Sequence, residues 1–152
     1  MREKIVTILN QIALILEIKG ENAFKIRAYK NGSEIIENYG EDIVQIAHDG
    51  KLNELKGIGK ALASKIEEIV KTGKLSYFDE LKSEFPDSFF ELFEIANLGP
   101  KKIKKLYEEL QIDSIDKLEE CCKNGEISKV SGFGKKSADS IIESILFRKN
   151  NS

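Results

Sequence analysis

The chain has 152 residues, 41% of them hydrophobic and 33% charged, with two prolines and no tryptophan. That length suits one compact domain or two small ones, and the composition excludes a disordered chain, which needs low hydrophobicity with high net charge. A net charge of −2 argues against a protein that coats nucleic acid by bulk charge.

The first segment, MREKIVTILNQIALILEIKG, puts basic residues before an apolar run, as an export signal does. Asn10, Gln11 and Glu17 interrupt the run, and no small-residue cleavage site follows. Ile5, Ile8, Leu9, Ile12, Ile15 and Leu16 share one helical face, which predicts a core helix over residues 2–18 that stops at Gly20. Asn22 is placed to cap a second helix, with Phe24, Ala28 and Ile35 on one face and an end near Tyr39-Gly40. A short third helix carries Ile43, Val44 and Ile46 before the Asp49-Gly50 turn, and a fourth covers 60–71 before Thr72-Gly73.

Ser76-x-x-Asp79 and Ser88-x-x-Glu91 read as capping boxes opening two further helices. Phe85-Pro86 between them forces an extended junction and marks a domain boundary, dividing the chain into 1–84 and 85–152. Pro100 falls where the first position of the next helix is expected. A helix over 114–123 ends near Asn124-Gly125, and the last runs from Lys135 to about Phe147. No alternating strand pattern occurs. The expected fold is all-α, a helix bundle of about nine helices with short connections.

Cys121 and Cys122 are adjacent, which gives neither a disulfide framework nor a spaced metal site and suits a reducing, cytoplasmic setting. His48 is the only histidine and is expected at an exposed helix end.

Three stretches share the pattern apolar–x–Gly–apolar–Gly ahead of a helix. They are LKGIGKALASKI (Leu55 to Ile66), VSGFGKKSADSI (Val130 to Ile141) and a weaker copy, IANLGPKKIKKL (Ile95 to Leu106), where Asn97 replaces the first glycine. The pairs Gly57/Gly59 and Gly132/Gly134, and Gly99 alone in the middle copy, permit a sharp turn and close approach of another molecule. Each following helix starts at once, so its free N–H groups and positive dipole end form an anion site suited to phosphate. Lys60, then Lys101 and Lys102, then Lys135 and Lys136 add charge in the first turns. Arginine, the usual reader of guanine edges, occurs three times against 21 lysines, which favours backbone contact over base readout. Repeats of this kind resemble the helix-hairpin-helix motif of DNA repair and replication proteins.

Order and spacing extend the likeness. ENAFKIRAYKNGSEII (Glu21 to Ile36), LKGIGKALASKIEEIVKTGKL (Leu55 to Leu75) and NLGPKKIKKLYEEL (Asn97 to Leu110) together resemble the N-terminal half of a family X DNA polymerase, over residues 1 to about 148. The resemblance implies a lyase-type domain holding the first hairpin and a second helical domain holding the other two, as two small packed domains. It implies a monomer that binds gapped or nicked duplex DNA with a 5′-phosphate and has no membrane partner. It also implies a monovalent cation, sodium or potassium, at the carbonyls of Leu55, Ile58, Ile95 and Leu98, and no other cofactor. The family's polymerase palm would follow the last helix, so these residues alone are not expected to make phosphodiester bonds, which needs bound divalent metals.

In lyase-active members a lysine after the first hairpin forms a Schiff base with an abasic sugar; Lys65 matches it, and Lys25 and Tyr29 match two residues lining its pocket. Ala61 and Tyr77 stand where active members place phosphate-binding lysines, and Phe24 replaces a histidine. The residues themselves leave two readings of Lys65. It borders the stripe Leu62, Ala63, Ile66, Ile69 and Val70, so its stem can be buried with the amine facing a cleft, or it pairs with Glu68 at i+3. The non-enzymatic alternative is a scaffold or protein-interaction bundle in which the hairpins merely join helices.

Overall fold

A computed structural model describes residues 1–151. Among these are eight α-helices and three 3-10 segments, with no strand. The helices are α1 (Arg2–Ile18), α2 (Ala23–Asn38), α3 (Ile43–His48), α4 (Lys60–Thr72), α5 (Ser76–Lys82), α6 (Pro100–Leu110), α7 (Ile115–Asn124) and α8 (Lys135–Asn150). The 3-10 segments are Leu52–Glu54, Asp87–Glu94 and Glu126–Lys129, one before each hairpin. Two compact units succeed one another, Met1–Lys82 and the chain from Ser83 onward.

In the first unit α1 is central. Ile5, Leu9, Ile12, Ile15 and Leu16 are essentially inaccessible, and the helix packs along α2 and also against α4 and α5. Asn22 caps α2 by accepting from the Phe24 N–H at 2.7 Å, and Asp42 caps α3 through the N–H groups of Val44 and Gln45. Gly73 ends α4 in the left-handed region, at φ 76°.

The buried face of α2 is not the expected one. Tyr29, Gly32, Ser33 and Ile36 face the core, while Ala28 is exposed and Phe24 is 76% exposed. Small residues explain the choice. A Cβ on Gly32 would lie 2.4 Å from Leu62 Cδ2, so α2 and α4 approach more closely than a larger side chain permits.

The two capping boxes also differ from expectation. Ser76 is the first residue of α5, whose first backbone bond runs from the Asp79 N–H to the Leu75 carbonyl. Ser76 directs its N–H and its hydroxyl to Glu68 instead. Ser88 lies inside a 3-10 segment preceded by Pro86, and its hydroxyl donates to the Asp113 carbonyl at 2.8 Å. Within the segment Phe89 and Leu92 are buried three residues apart, as the 3-10 period places them on one face.

The second unit is built on aromatic packing. Phe89 is fully buried, with Phe85 stacked on it at 4.8 Å and Tyr107 at 5.0 Å between ring centroids. Pro100 opens α6 behind the N-cap Gly99, and Ser114 caps α7 by accepting from the Lys117 N–H at 3.1 Å. The last helix continues to Asn150, beyond the expected end near Phe147.

One long-range cap closes the first unit. α2 ends at an extended Tyr39, and the guanidinium of Arg2 donates to the carbonyls of Ile36 (3.1 Å), Glu37 (3.3 Å), Tyr39 and Glu41 (2.8 Å). Arg2→Met should lower the unfolding free energy by about 1–2 kcal/mol, since these carbonyls lose a charged donor. Urea melts measure the effect. An unchanged midpoint would mean that water satisfies the same carbonyls equally well.

Candidate nucleic-acid interface

The three glycine stretches fold alike. Each 3-10 segment ends at an extended apolar residue (Leu55, Ile95, Val130) whose carbonyl accepts from the N–H three residues on (Ile58, Leu98, Phe133). The residue before that donor has positive φ: Gly57 at 96°, Asn97 at 67° and Gly132 at 92°. The donors Ile58, Leu98 and Phe133 are buried, and the next residue (Gly59, Gly99, Gly134) is the N-cap of α4, α6 or α8.

The two glycine positions are used differently. The first needs glycine, or asparagine at a lower φ, because L side chains are strained there. At Gly57 a Cβ would also lie 2.5 Å from Ile35 Cδ1. The second has ordinary extended backbone, with φ of −80° at Gly59, −81° at Gly99 and −114° at Gly134, and a Cβ on any of them would meet no atom within 4 Å. Neither backbone strain nor packing within the chain explains glycine at this position three times over. None of these N-caps makes a side-chain hydrogen bond, although Ser or Asp there would stabilise the helix by roughly a few tenths of a kcal/mol over glycine. A cap without a side chain leaves the helix N–H groups open to an outside molecule.

The first intrahelical bonds come from the N–H groups of Ala63, Ile103 and Ala138, back to the capping glycine carbonyls. Ahead of them lie the N–H groups of Lys60, Ala61 and Leu62 on α4, and of Lys135, Lys136 and Ser137 on α8. On α6 Pro100 has no N–H, so only Lys101 and Lys102 contribute. The middle hairpin is therefore poorer because of its proline, while Asn97 preserves the turn. Lys60, Lys101, Lys102, Lys135 and Lys136 are all exposed. Lys102 folds back onto the Asn97 carbonyl at 3.3 Å, and Lys105 reaches the Ser131 carbonyl in the third hairpin at 3.4 Å.

A second cluster lies within the first unit. Lys25 on α2 and Lys65 on α4 hold their ammonium groups 5.5 Å and 5.1 Å from the centroid of one ring, that of Tyr77 on α5. Tyr29 stacks on the same ring at 6.2 Å with an interplanar angle of 12°. The three candidate pocket residues are thus gathered by Tyr77, which the sequence marks only as a departure. Burial, and then the neighbouring Tyr77 hydroxyl, push the Tyr29 phenol well above its ordinary pKa, so it stays protonated at neutral pH.

Lys65 is not simply the ion-pair partner of Glu68. The Glu68 carboxylate accepts from the Ser76 N–H at 2.8 Å and the Ser76 hydroxyl at 2.9 Å. Those two bonds, and after them the nearby Lys65 charge, hold the carboxyl below its usual range. Phe24 sits with the Arg27 guanidinium 5.5 Å from its ring centroid.

Other chemistries find little support. Both cysteines are free and buried; burial pushes the Cys122 thiol up to about 11, and burial with Glu126 raises Cys121, so neither is an activated nucleophile. Among the described residues no group of three His, Cys, Asp or Glu side chains could hold a metal ion, and no helix is long and apolar enough to cross a membrane. His48 is exposed at the end of α3, as expected.

Comparison with known proteins agrees with this geometry. A family described as a helix-hairpin-helix domain matches residues 2–75, and one described as a SAM-like helix-hairpin-helix tandem matches residues 89–145. The chain is 33% identical over 144 residues to DNA polymerase/3'-5' exonuclease PolX of Bacillus subtilis (strain 168), an alignment that covers 95% of this chain and 25% of that protein. It is 32% identical over 109 residues to DNA polymerase lambda of Arabidopsis thaliana, covering 71% of this chain and 20% of that one. The chain spans a quarter or less of the length of these curated relatives. With a hairpin tandem after a first hairpin unit, it is a helix-hairpin-helix protein homologous to the N-terminal part of the family X DNA polymerases.

Proposed function

We propose that the chain binds the sugar-phosphate backbone of gapped or nicked duplex DNA, without reading sequence, as the DNA-binding part of a family X repair polymerase. One observation carries the reading: each hairpin presents an N-cap glycine that the chain's own packing does not require, with exposed lysines in the turn that follows. Backbone N–H groups then meet phosphate oxygens at close range, while the lysines supply charge that a net −2 chain lacks in bulk. The first and third hairpins are the stronger sites and the middle one the weaker. Carbonyls of Leu55 and Ile58 on the first hairpin, and separately those of Ile95 and Leu98 on the second, would each hold a monovalent cation. Leu55 and Ile95 already accept the turn's own hydrogen bond, which leaves each one lone pair for such an ion.

The same reading gives the Lys25–Tyr29–Lys65 pocket a chemical role. A neutral Lys65 amine attacks the C1′ aldehyde of a 5′-terminal abasic sugar and water leaves, forming a Schiff base. Loss of a C2′ proton then breaks the C3′–O bond and frees a 5′-phosphate on the downstream strand, and hydrolysis of the imine restores the lysine. Lys25 faces the sugar phosphate, and the protonated Tyr29 orients the cluster rather than acting as a base. Its support is the convergence of Lys25 and Lys65 on one ring.

Gly59→Val and Gly134→Val should fold like the native chain, because a Cβ at either meets open space, yet each should weaken duplex binding about tenfold, the order of one charge-assisted hydrogen bond. With three to five phosphates contacted, log K of the native chain should fall against log salt with a slope of roughly −3 to −5. Variants that fold and bind like the native chain would make the hairpins mere turns.

Borohydride trapping on a gapped duplex with a 5′-abasic sugar tests the lyase step. A covalent adduct is expected with the native chain and none with Lys65→Ala that still binds DNA. No adduct with the native chain, or an equal one with the variant, would leave a binding module alone.

A further inference from the structure

We propose that Tyr77 is the positioning residue of the lysine pocket: its ring collects the Lys25 and Lys65 ammonium groups, and a latch from Glu68 to Ser76 holds the ring in place. The proposal rests on the reading of this cluster as a site for a terminal sugar phosphate, and it concerns how the cluster is kept in shape.

Lys25 and Lys65 carry like charge on two different helices and repel one another, so free rotation would spread them into solvent. The ring's quadrupole, negative over its faces, offsets that repulsion for both, at 5.5 Å and 5.1 Å from its centroid. The ring is itself fixed on two sides. Tyr29, buried on α2, stacks against it. One residue earlier, Ser76 gives both its N–H and its hydroxyl to the Glu68 carboxylate on α4, the helix that also carries Lys65.

α4 therefore presents Lys65 and, one turn on, the carboxylate that docks the segment carrying the ring. Two cations lodged on one anchored ring form a preorganised clamp for a phosphate, with the ring standing where a third lysine is expected. Preorganisation of this kind removes part of the ordering cost of binding.

The test reads the lysines directly, without any lyase activity. Lysines are dimethylated with ¹³C-formaldehyde, which keeps their charge, and the methyl signals of Lys25 and Lys65 are assigned with Lys→Arg variants. Both signals should lie upfield of the exposed lysines in the native chain and in Tyr77→Phe, which keeps the ring. They should return to the exposed-lysine position in Tyr77→Leu, and move part of the way in Glu68→Ala, where the ring remains but its latch is gone. Affinity for a gapped duplex bearing a 5′-phosphate should fall roughly fivefold to thirtyfold in Tyr77→Leu, the equivalent of two lost cation–π contacts, and recover in Tyr77→Phe. Ring shifts that persist in Tyr77→Leu, or are absent from the native chain, would overturn the proposal. Ring shifts as expected but no borohydride adduct would uphold the clamp and reject only the lyase step.

Discussion

In each hairpin a single apolar residue (Ile58, Leu98 or Phe133) is driven into the core between a residue of positive φ and an extended N-cap glycine. Burying that residue reverses the chain within a few bonds. The reversal demands positive φ immediately before it and an extended N-cap immediately after it. The outward direction of three helix N-termini follows from this one burial. Because the helix start is tied to a core contact, its N–H groups are aimed before any ligand arrives, and binding phosphate then needs little further ordering.

An acidic chain can bind a polyanion only where its positive charge is local. Here the charge lies at helix starts, where dipole and lysine act together, and at the Tyr77 ring, which has the Lys25 and Lys65 ammonium groups 5.5 Å and 5.1 Å from its centroid. Two carboxylates of the first unit have partners of their own: Glu68 with Ser76, and Glu17 with Lys30 at 3.6 Å. In the second unit Arg148 pairs with Glu94 at 2.7 Å and Lys149 with Glu119 at 3.3 Å, at the far end of α8 from its hairpin. The lysines at the hairpins keep their exposure.

Features set by neighbours in sequence were legible in it. The Asn22 cap, the Gly73 and Gly125 stops, the start at Pro100 and the three hairpin turns depend on a few adjacent residues. Features set by distant contacts were not. The buried face of α2 is chosen by how closely Gly32 lets α4 approach, and hydropathy, which favoured Phe24, does not record closeness. Ser76 and Ser88 have the residue types of caps, but α5 starts one residue earlier, at the Leu75 carbonyl, and Ser88 falls inside a 3-10 segment; their hydroxyls donate to Glu68 and to the Asp113 carbonyl. Tyr77 looked like a lost lysine, since its value depends on two ammonium groups that only folding brings to it.

The central claim is that backbone N–H groups at helix starts meet the phosphates. The most direct measurement is an amide ¹H–¹⁵N titration of the chain with two short duplexes of unrelated sequence. The account predicts that Lys60, Ala61 and Leu62, and Lys135, Lys136 and Ser137, show the largest shifts, the same with both duplexes, and that Lys101 and Lys102 respond less. Largest shifts away from these helix starts, or a different set for each duplex, would contradict it.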